Sequence, residues 1–295
     1  MASRAFREVV RDNSIDIGDD GVTASQHLLA KASHAAAVKR VSDAVAIDTK
    51  AAAVLRSSGG PGAGSWMKAP SLPNQHLANL QFCIAVRTRL HMPIPQCVGR
   101  CQHRRSDGSI CNEPLDEYGF HARICPSGGW LMKRHDAACA VLGDWCEEMG
   151  CHLEAGQKPW GEVLVPWAAP ARHEARMDLV VHAPGIAAPF YVDLTVANAL
   201  SRMALSGGSA VRDGAAAELA ARGKHRDYPC CSVTPFVIED HGRIGEEALQ
   251  FVRTLAPPDP ADRSRAIRKL HHSLGATLQR IAADAVISAT TVRAY

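Results

Sequence analysis

The stretch from Glu174 to Leu200, EARMDLVVHAPGIAAPFYVDLTVANAL, carries two apolar runs, LVV and FYV, with an aspartate on the border of each and the turn APG between them. Short β-branched runs bounded by Gly and Pro read as strands. A hairpin-length connection would set them side by side, antiparallel, and bring Asp178 and Asp193 to one edge of a sheet. Two hard oxygen ligands on rigid strands suit Mg²⁺, which binds one or two carboxylates, keeps several waters and takes the remainder from substrate phosphates. Lys224 and Tyr228 are four apart on a helix expected over Val211–Tyr228, so they share a face. A lysine aimed at such a metal can orient or activate the attacking water and offset transition-state charge. The competing account of each aspartate is a turn cap at a strand end.

A second group of chemically able residues lies in QCVGRCQHRRSDGSICNEPLDEYGFHARICP, from Gln96 to Pro126. It offers Cys97, Cys101, Cys111, His121 and Cys125, with His103 as a spare. Zinc takes four soft or borderline ligands in a tetrahedron, and the pair His121-x3-Cys125 lets one turn present two of them. The loop is poor in apolar residues and needs a staple to fold. Cys101, Cys111, His121 and Cys125 are the expected structural Zn²⁺ ligands, with Cys97 as the alternative first ligand. Four protein ligands leave no open position, which argues against a catalytic zinc.

The elements that must position these residues follow from periodicity. NQHLANLQFCIAVRTRLHMPIP reads as a helix from Pro73 to Pro93, apolar over so wide an arc that burial on more than one side is expected. Leu131, His135, Ala138, Leu142, Trp145 and Met149 form one helical stripe. His135 on that stripe is either a core histidine or a side chain facing the edge beneath Asp178. The period then shortens through HLEAG, GEVLVPW, MDLVVHA and FYVDLTV, which read as strands. A helix, the strand SVTPFVIE, the helix GEEALQFVRTL and a last helix capped at Asp259-Pro260 follow. The order implies an α/β fold, a small mixed β-sheet flanked by helices, with a zinc-knuckle loop and extra N- and C-terminal helices. The expected division is 1–72, an Ala-rich, partly mobile region ending in the linker SSGGPGAGSW; 73–95, a helix; 96–130, the knuckle; 131–256, the core; and 257–295, a C-terminal helix.

Composition bounds the rest. The chain has 295 residues, 46% of them apolar, and a net charge of +3. That is ample for a core and too balanced to name a partner. Basic residues outnumber acidic ones five to two over 202–226 and six to two over 262–295, either solvated helix faces or surfaces for phosphates. No apolar run approaches membrane length and no signal-peptide core follows the first charges, so a soluble, intracellular protein is expected. Ten cysteines then suggest metal ligands and core residues rather than disulfides. Cys83, Cys139, Cys146 and Cys151 are expected in the core.

The ordered set R-x-D, fourteen residues, D-x-T, and a helix with K-x3-Y resembles the restriction-like endonuclease of site-specific non-LTR retrotransposons, a branch of the PD-(D/E)xK nuclease superfamily. The upstream knuckle HARIC and the Arg-His pair in KRHD (Lys133–Asp136) match that pattern too, and the resemblance covers roughly residues 76–290. It implies a restriction-endonuclease-like core in which Asp178 and Asp193 hold Mg²⁺ or Mn²⁺. Thr195 stands where the superfamily has lysine, and Lys224 would supply the amine from the neighbouring helix. Tyr228 would support the site or contact the DNA backbone; Arg134, His135 and Arg176 would hold phosphate or supporting positions. The chain departs from the pattern at Met177, where a proline is usual. No first-helix glutamate is assignable, although Glu147, Glu148 and Glu154 lie nearby.

The function implied is Mg²⁺-dependent hydrolysis of double-stranded DNA, a nick in target DNA, in the nucleus, with element RNA as a further partner and a dimer possible. No aromatic-x-Asp-Asp reverse-transcriptase signature occurs, so a C-terminal portion of a larger element protein or a stand-alone remnant is expected. The alternatives are a catalytically inactive nucleic-acid-binding protein of the same fold and a Holliday-junction-resolvase-like nuclease.

Overall fold

The computed structural model describes residues 26–68, 70, 72–154, 163–164, 176–228 and 232–291. By its internal contacts the chain divides into two compact units, Met1–Ala52 and Ala53–Tyr295. The helices are α1 (Gln26–Val45), α2 (Thr49–Ser57), α3 (Asn79–Arg89), α4 (Phe120–Ile124), α5 (Trp130–Glu148), α6 (Arg202–Ser206), α7 (Ala215–Asp227), α8 (Glu246–Leu255) and α9 (Pro260–Thr290). The strands are β1 (His152–Leu153), β2 (Val163–Leu164), β3 (Arg176–Met177), β4 (Leu179–His182), β5 (Phe190–Ala197) and β6 (Val233–Glu239).

Strands β1, β4, β5 and β6 form a four-stranded mixed sheet in that order. β4 pairs antiparallel with β5, Leu179 opposite Val192, and β5 pairs parallel with β6, Asp193 opposite Pro235. The parallel pair needs a crossover, which α6 and α7 provide. β2 and β3 make a separate antiparallel ribbon. The fold is therefore mixed α/β with flanking helices, as the alternation of periods implies.

Side-chain alternation along β5 separates two tasks. Val192 and Leu194 enter the main core with Leu142 and Trp145 of α5, Phe251 and Val252 of α8, and Leu270, Leu274 and Leu278 of α9. Ala197, on the side of Asp193 and Thr195, packs with Ala216, Ala217 and Ala221 of α7. Those small side chains let α7 lie close on the sheet.

α9 begins as its sequence implies, with Asp259 accepting the N–H groups of Ala261 and Asp262 and Pro260 in the first turn. It is not an appendage, however. Its first half supplies the main core, while Ala283, Val286 and Ala289 join Ile84, Ile94 and the knuckle cysteines in a second core. One helix thus ties the sheet to the Cys/His loop.

Three local expectations are corrected. The helix expected from Pro73 to Pro93 is shorter, a single 3₁₀ turn at Pro73–Gln75 followed by α3. It is buried on one side only: Ile84, Ala85 and Thr88 face inward, while Leu80, Phe82 and Leu90 are exposed, as is Cys83. The segment Ser57–Trp66 is not a linker, since Ser57, Ser58, Ala63 and Trp66 are all buried. Gly62, at φ +75°, passes so close to α9 that a Cβ there would fall 1.9 Å from His271 Nδ1; glycine composition there serves close packing instead of mobility. The helix expected over Val211–Tyr228 starts later, as α7 from Ala215, with Tyr228 as its C-terminal cap. Among the described residues, no helix is long and apolar enough to cross a membrane.

Candidate active site and cysteine–histidine centre

Asp178 occupies the bend between β3 and β4. Ladder pairing of β4 with β5 starts at Leu179, and the Asp178 side chain takes over beyond it: Oδ2 accepts the Leu194 N–H at 2.6 Å. The same oxygen accepts from His135 Nε2 at 3.2 Å. His135 lies three residues before Ala138 on the α5 stripe that continues through Leu142 and Trp145, so it marks the rim of the buried face. Its side chain remains 29% exposed. The hydrogen bonds to Asp178 and Cys139 outweigh burial and push the His135 pKa up to about 11, so the imidazole is a cation at neutral pH.

Asp193 lies on the α7 side of β5. Ala217, Ala221 and Lys224 follow one another at steps of four and three, so Lys224 extends the alanine stripe to the point where α7 leaves the sheet. Its Nζ meets Asp193 Oδ1 at 2.7 Å, and the buried Tyr228 hydroxyl hydrogen-bonds the same carboxylate. Both aspartates are nearly buried, Asp178 at 8% and Asp193 at 5% exposure. Burial raises the Asp193 pKa; Lys224 and Tyr228 pull against that rise, and the Asp178 charge adds to it. A bound divalent cation would relieve that cost, and two carboxylates are the donor set Mg²⁺ accepts. Thr195, two residues beyond Asp193, faces the same side of β5.

Other expected site residues fall elsewhere. Arg134 does not present itself to a ligand: it is 5% exposed, and its charge acts on Asp240. Arg123, between the ligand candidates His121 and Cys125, donates to the same buried Asp240 from Nη2, 3.4 Å to Oδ2. Asp240 also accepts the Ala199 N–H. These two arginines and one aspartate join α4, α5 and the sheet, a buried ionic group that no local sequence signal announces. Arg176 lies on β3, its side chain outside the described residues. Glu148 pairs with Lys269 at 2.6 Å and Glu154 with His182 at 2.9 Å. Glu147 is exposed on α5, so none of these contacts supplies the missing metal-binding glutamate.

The knuckle converges on four ligand atoms. Those of Cys101, Cys111, His121 and Cys125 all lie within 4.8 Å of one another. Two backbone bonds, Cys111 N–H to His103 O and Asn112 N–H to Cys101 O, fold 101–112 into a small hairpin. Asp116 accepts the N–H groups of Tyr118, Phe120 and His121 and so fixes the turn entering α4. The Sγ atoms of Cys101 and Cys125 are 3.9 Å apart, those of Cys125 and Cys111 3.5 Å, and Cys111 Sγ is 3.5 Å from His121 Nε2. Disulfide sulfurs would be about 2.05 Å apart, whereas the edge of a tetrahedron with Zn–S of about 2.3 Å is about 3.8 Å. Burial pushes the Cys101 thiol up to about 12 and raises Cys125 too, a cost that a cation removes. The group can hold a structural zinc. Cys97 shares the surrounding core but lies outside the four, and burial pushes its thiol up to about 11. His103 is turned away, with Nε2 2.9 Å from Ala285 O of α9.

The one chemically able side chain at the aspartate site that sequence reasoning assigned to the core alone is Cys139, four residues after His135. Its Sγ lies 3.8 Å from His135 Nε2. Comparison of the chain with protein-family models and with curated proteins finds no match.

Proposed function

We propose that this chain is a metal-dependent endonuclease that hydrolyses phosphodiester bonds in double-stranded DNA. The observation that carries the reading is the approach of Asp178, in the bend that leads into β4, to Asp193 on the antiparallel neighbour β5, with Lys224 Nζ 2.7 Å from Asp193. Asp178 and Asp193 would hold Mg²⁺ or Mn²⁺, which when bound lowers the pKa of water and neutralises developing phosphoryl charge. Tyr228 and the Leu194 N–H hold the two carboxylates in place. Lys224, 27% exposed on its side chain, supplies a fixed positive charge to a phosphate entering beside Asp193. His135 balances Asp178 and holds its orientation. Zinc at Cys101, Cys111, His121 and Cys125 would rigidify the loop beside α9, and basic surfaces would position the duplex by phosphate contacts. The motif order R-x-D, D-x-T, K-x3-Y behind a Cys/His knuckle supports the restriction-like branch of non-LTR retrotransposons, whose work would be a nick in nuclear DNA.

A second reading is supported by the charge balance: His135 and Lys224 already match the two aspartates, as they would in a binding protein of this fold that no longer cuts. Supercoiled plasmid, incubated with the protein in Mg²⁺, in EDTA, and with Asp193→Ala, separates the two. The endonuclease nicks only in Mg²⁺ and the variant is inactive. Binding without cleavage, in Mn²⁺ as well, would hand the lead to the binding protein.

A further inference from the structure

We propose that His135, Cys139 and Asp178 form a second transition-metal site, for an ion of the zinc class, separate from the knuckle. His135 and Cys139 are four apart on α5 and project from the same face. Asp178 meets them from the β3–β4 bend. Cys139 Sγ lies 3.9 Å from His135 Nδ1 and 3.8 Å from Nε2, and Nε2 lies 3.2 Å from Asp178 Oδ2. One ligand atom from each lies within 4.8 Å of the other two. Tetrahedral zinc with sulfur at about 2.3 Å and nitrogen and oxygen at about 2.1 Å has S–N edges of about 3.6 Å and N–O edges of about 3.4 Å. The Sγ–Nε2 and Nε2–Oδ2 edges are thus already near those of that tetrahedron, and because Sγ is nearly equidistant from the two ring nitrogens, the imidazole turns to aim Nε2 at an ion shared with the thiolate.

The donor set also selects the ion. Thiolate and imidazole favour zinc and its neighbours over Mg²⁺, so this site and the aspartate pair discriminate between metals although they share Asp178. Cys139 is 2% exposed, and the partly exposed His135 ring gives access. Three protein ligands leave a fourth position open to water. An ion here would replace two protons, the one between His135 and Asp178 and that of the Cys139 thiol, both released to solvent, while the Leu194 N–H still reaches Oδ2. One consequence rests on the endonuclease reading: zinc held by Asp178 keeps Mg²⁺ from that carboxylate and stops cleavage.

Cobalt(II) is the probe. Protein carrying one zinc per chain, with the knuckle filled, is titrated with Co²⁺, following visible and thiolate-to-cobalt absorption and the metal content of the recovered protein. The expected result is one further equivalent with a thiolate band, with that band lost in both Cys139→Ser and Cys139→Ala and affinity reduced at least tenfold in His135→Ala. Circular dichroism confirms that the variants fold. An unchanged band in both Cys139 variants, or no further equivalent in the parent protein, overturns the site. In a parallel arm, Zn²⁺ stops Mg²⁺-dependent nicking by the parent protein but not by Cys139→Ser. If the parent never nicks, the endonuclease reading fails and the cobalt result still decides the metal site.

Discussion

Asp178 Oδ2 accepts the Leu194 N–H at 2.6 Å, so the carboxylate stands in for a rung of the β4–β5 ladder one residue beyond the last strand pair. The side chain proposed as a metal ligand is thereby a structural acceptor too. That double use separates two substitutions. Asp178→Asn retains an acceptor oxygen for the Leu194 N–H but loses the charge that pairs with His135, so it should be less stable than the parent protein, though more stable than Asp178→Ala, and should abolish nicking. Asp178→Ala leaves a buried N–H unsatisfied and should lose about 1–3 kcal/mol as well. Chemical denaturation beside the plasmid assay checks both, and equal stability of the two variants would contradict the ladder role.

The knuckle predicts a sharp contrast between neighbouring cysteines. Cys111→Ser and Cys125→Ser should lose the bound zinc, and with it the order of the 101–125 loop, because metal binding and folding of such a loop are one equilibrium. Cys97→Ser should retain the metal. Elemental analysis of the purified variants decides between Cys97 and Cys101 as ligand.

Gly62→Ala tests whether Ser57–Trp66 belongs to the folded unit. The new Cβ would overlap the His271 ring and the residue would be held at φ +75°. The loss should be on the order of 3 kcal/mol. Gly108→Ala, at φ +83° with open space around it, should show only the backbone cost of about 1 kcal/mol. Similar losses in the two variants would return that segment to a linker.

Acid should destabilise the protein through buried histidines. Burial, with Arg253 adding to it, lowers the His271 pKa to about 4, and burial takes His241 to about 3. Because the folded pKa lies below the unfolded value of about 6.5, protonation favours the unfolded chain. The contribution of these two histidines is therefore full above about pH 6.5 and falls steadily as pH drops toward 4. His271→Gln should flatten that fall in urea midpoints measured from pH 7 to pH 5. An unaltered slope would place the acid sensitivity in other groups.

What was legible in the sequence is local. The change from helical to alternating period announced a mixed sheet, Asp259-Pro260 announced the start of α9, and ligand types crowded between Gln96 and Pro126 announced a loop whose side chains can hold a metal. Each signal lies within a few turns of chain, where propensity and spacing act directly. Contacts between distant segments had no such trace. His135 meets Asp178 across 43 positions, Arg134 is buried where its charge acts on Asp240, and Cys101 converges with the other ligands while Cys97 does not. Tertiary structure decided these because they depend on how α5, α7 and the knuckle pack on one sheet and one long helix. Packing in three dimensions selects among residues that composition and period leave equivalent.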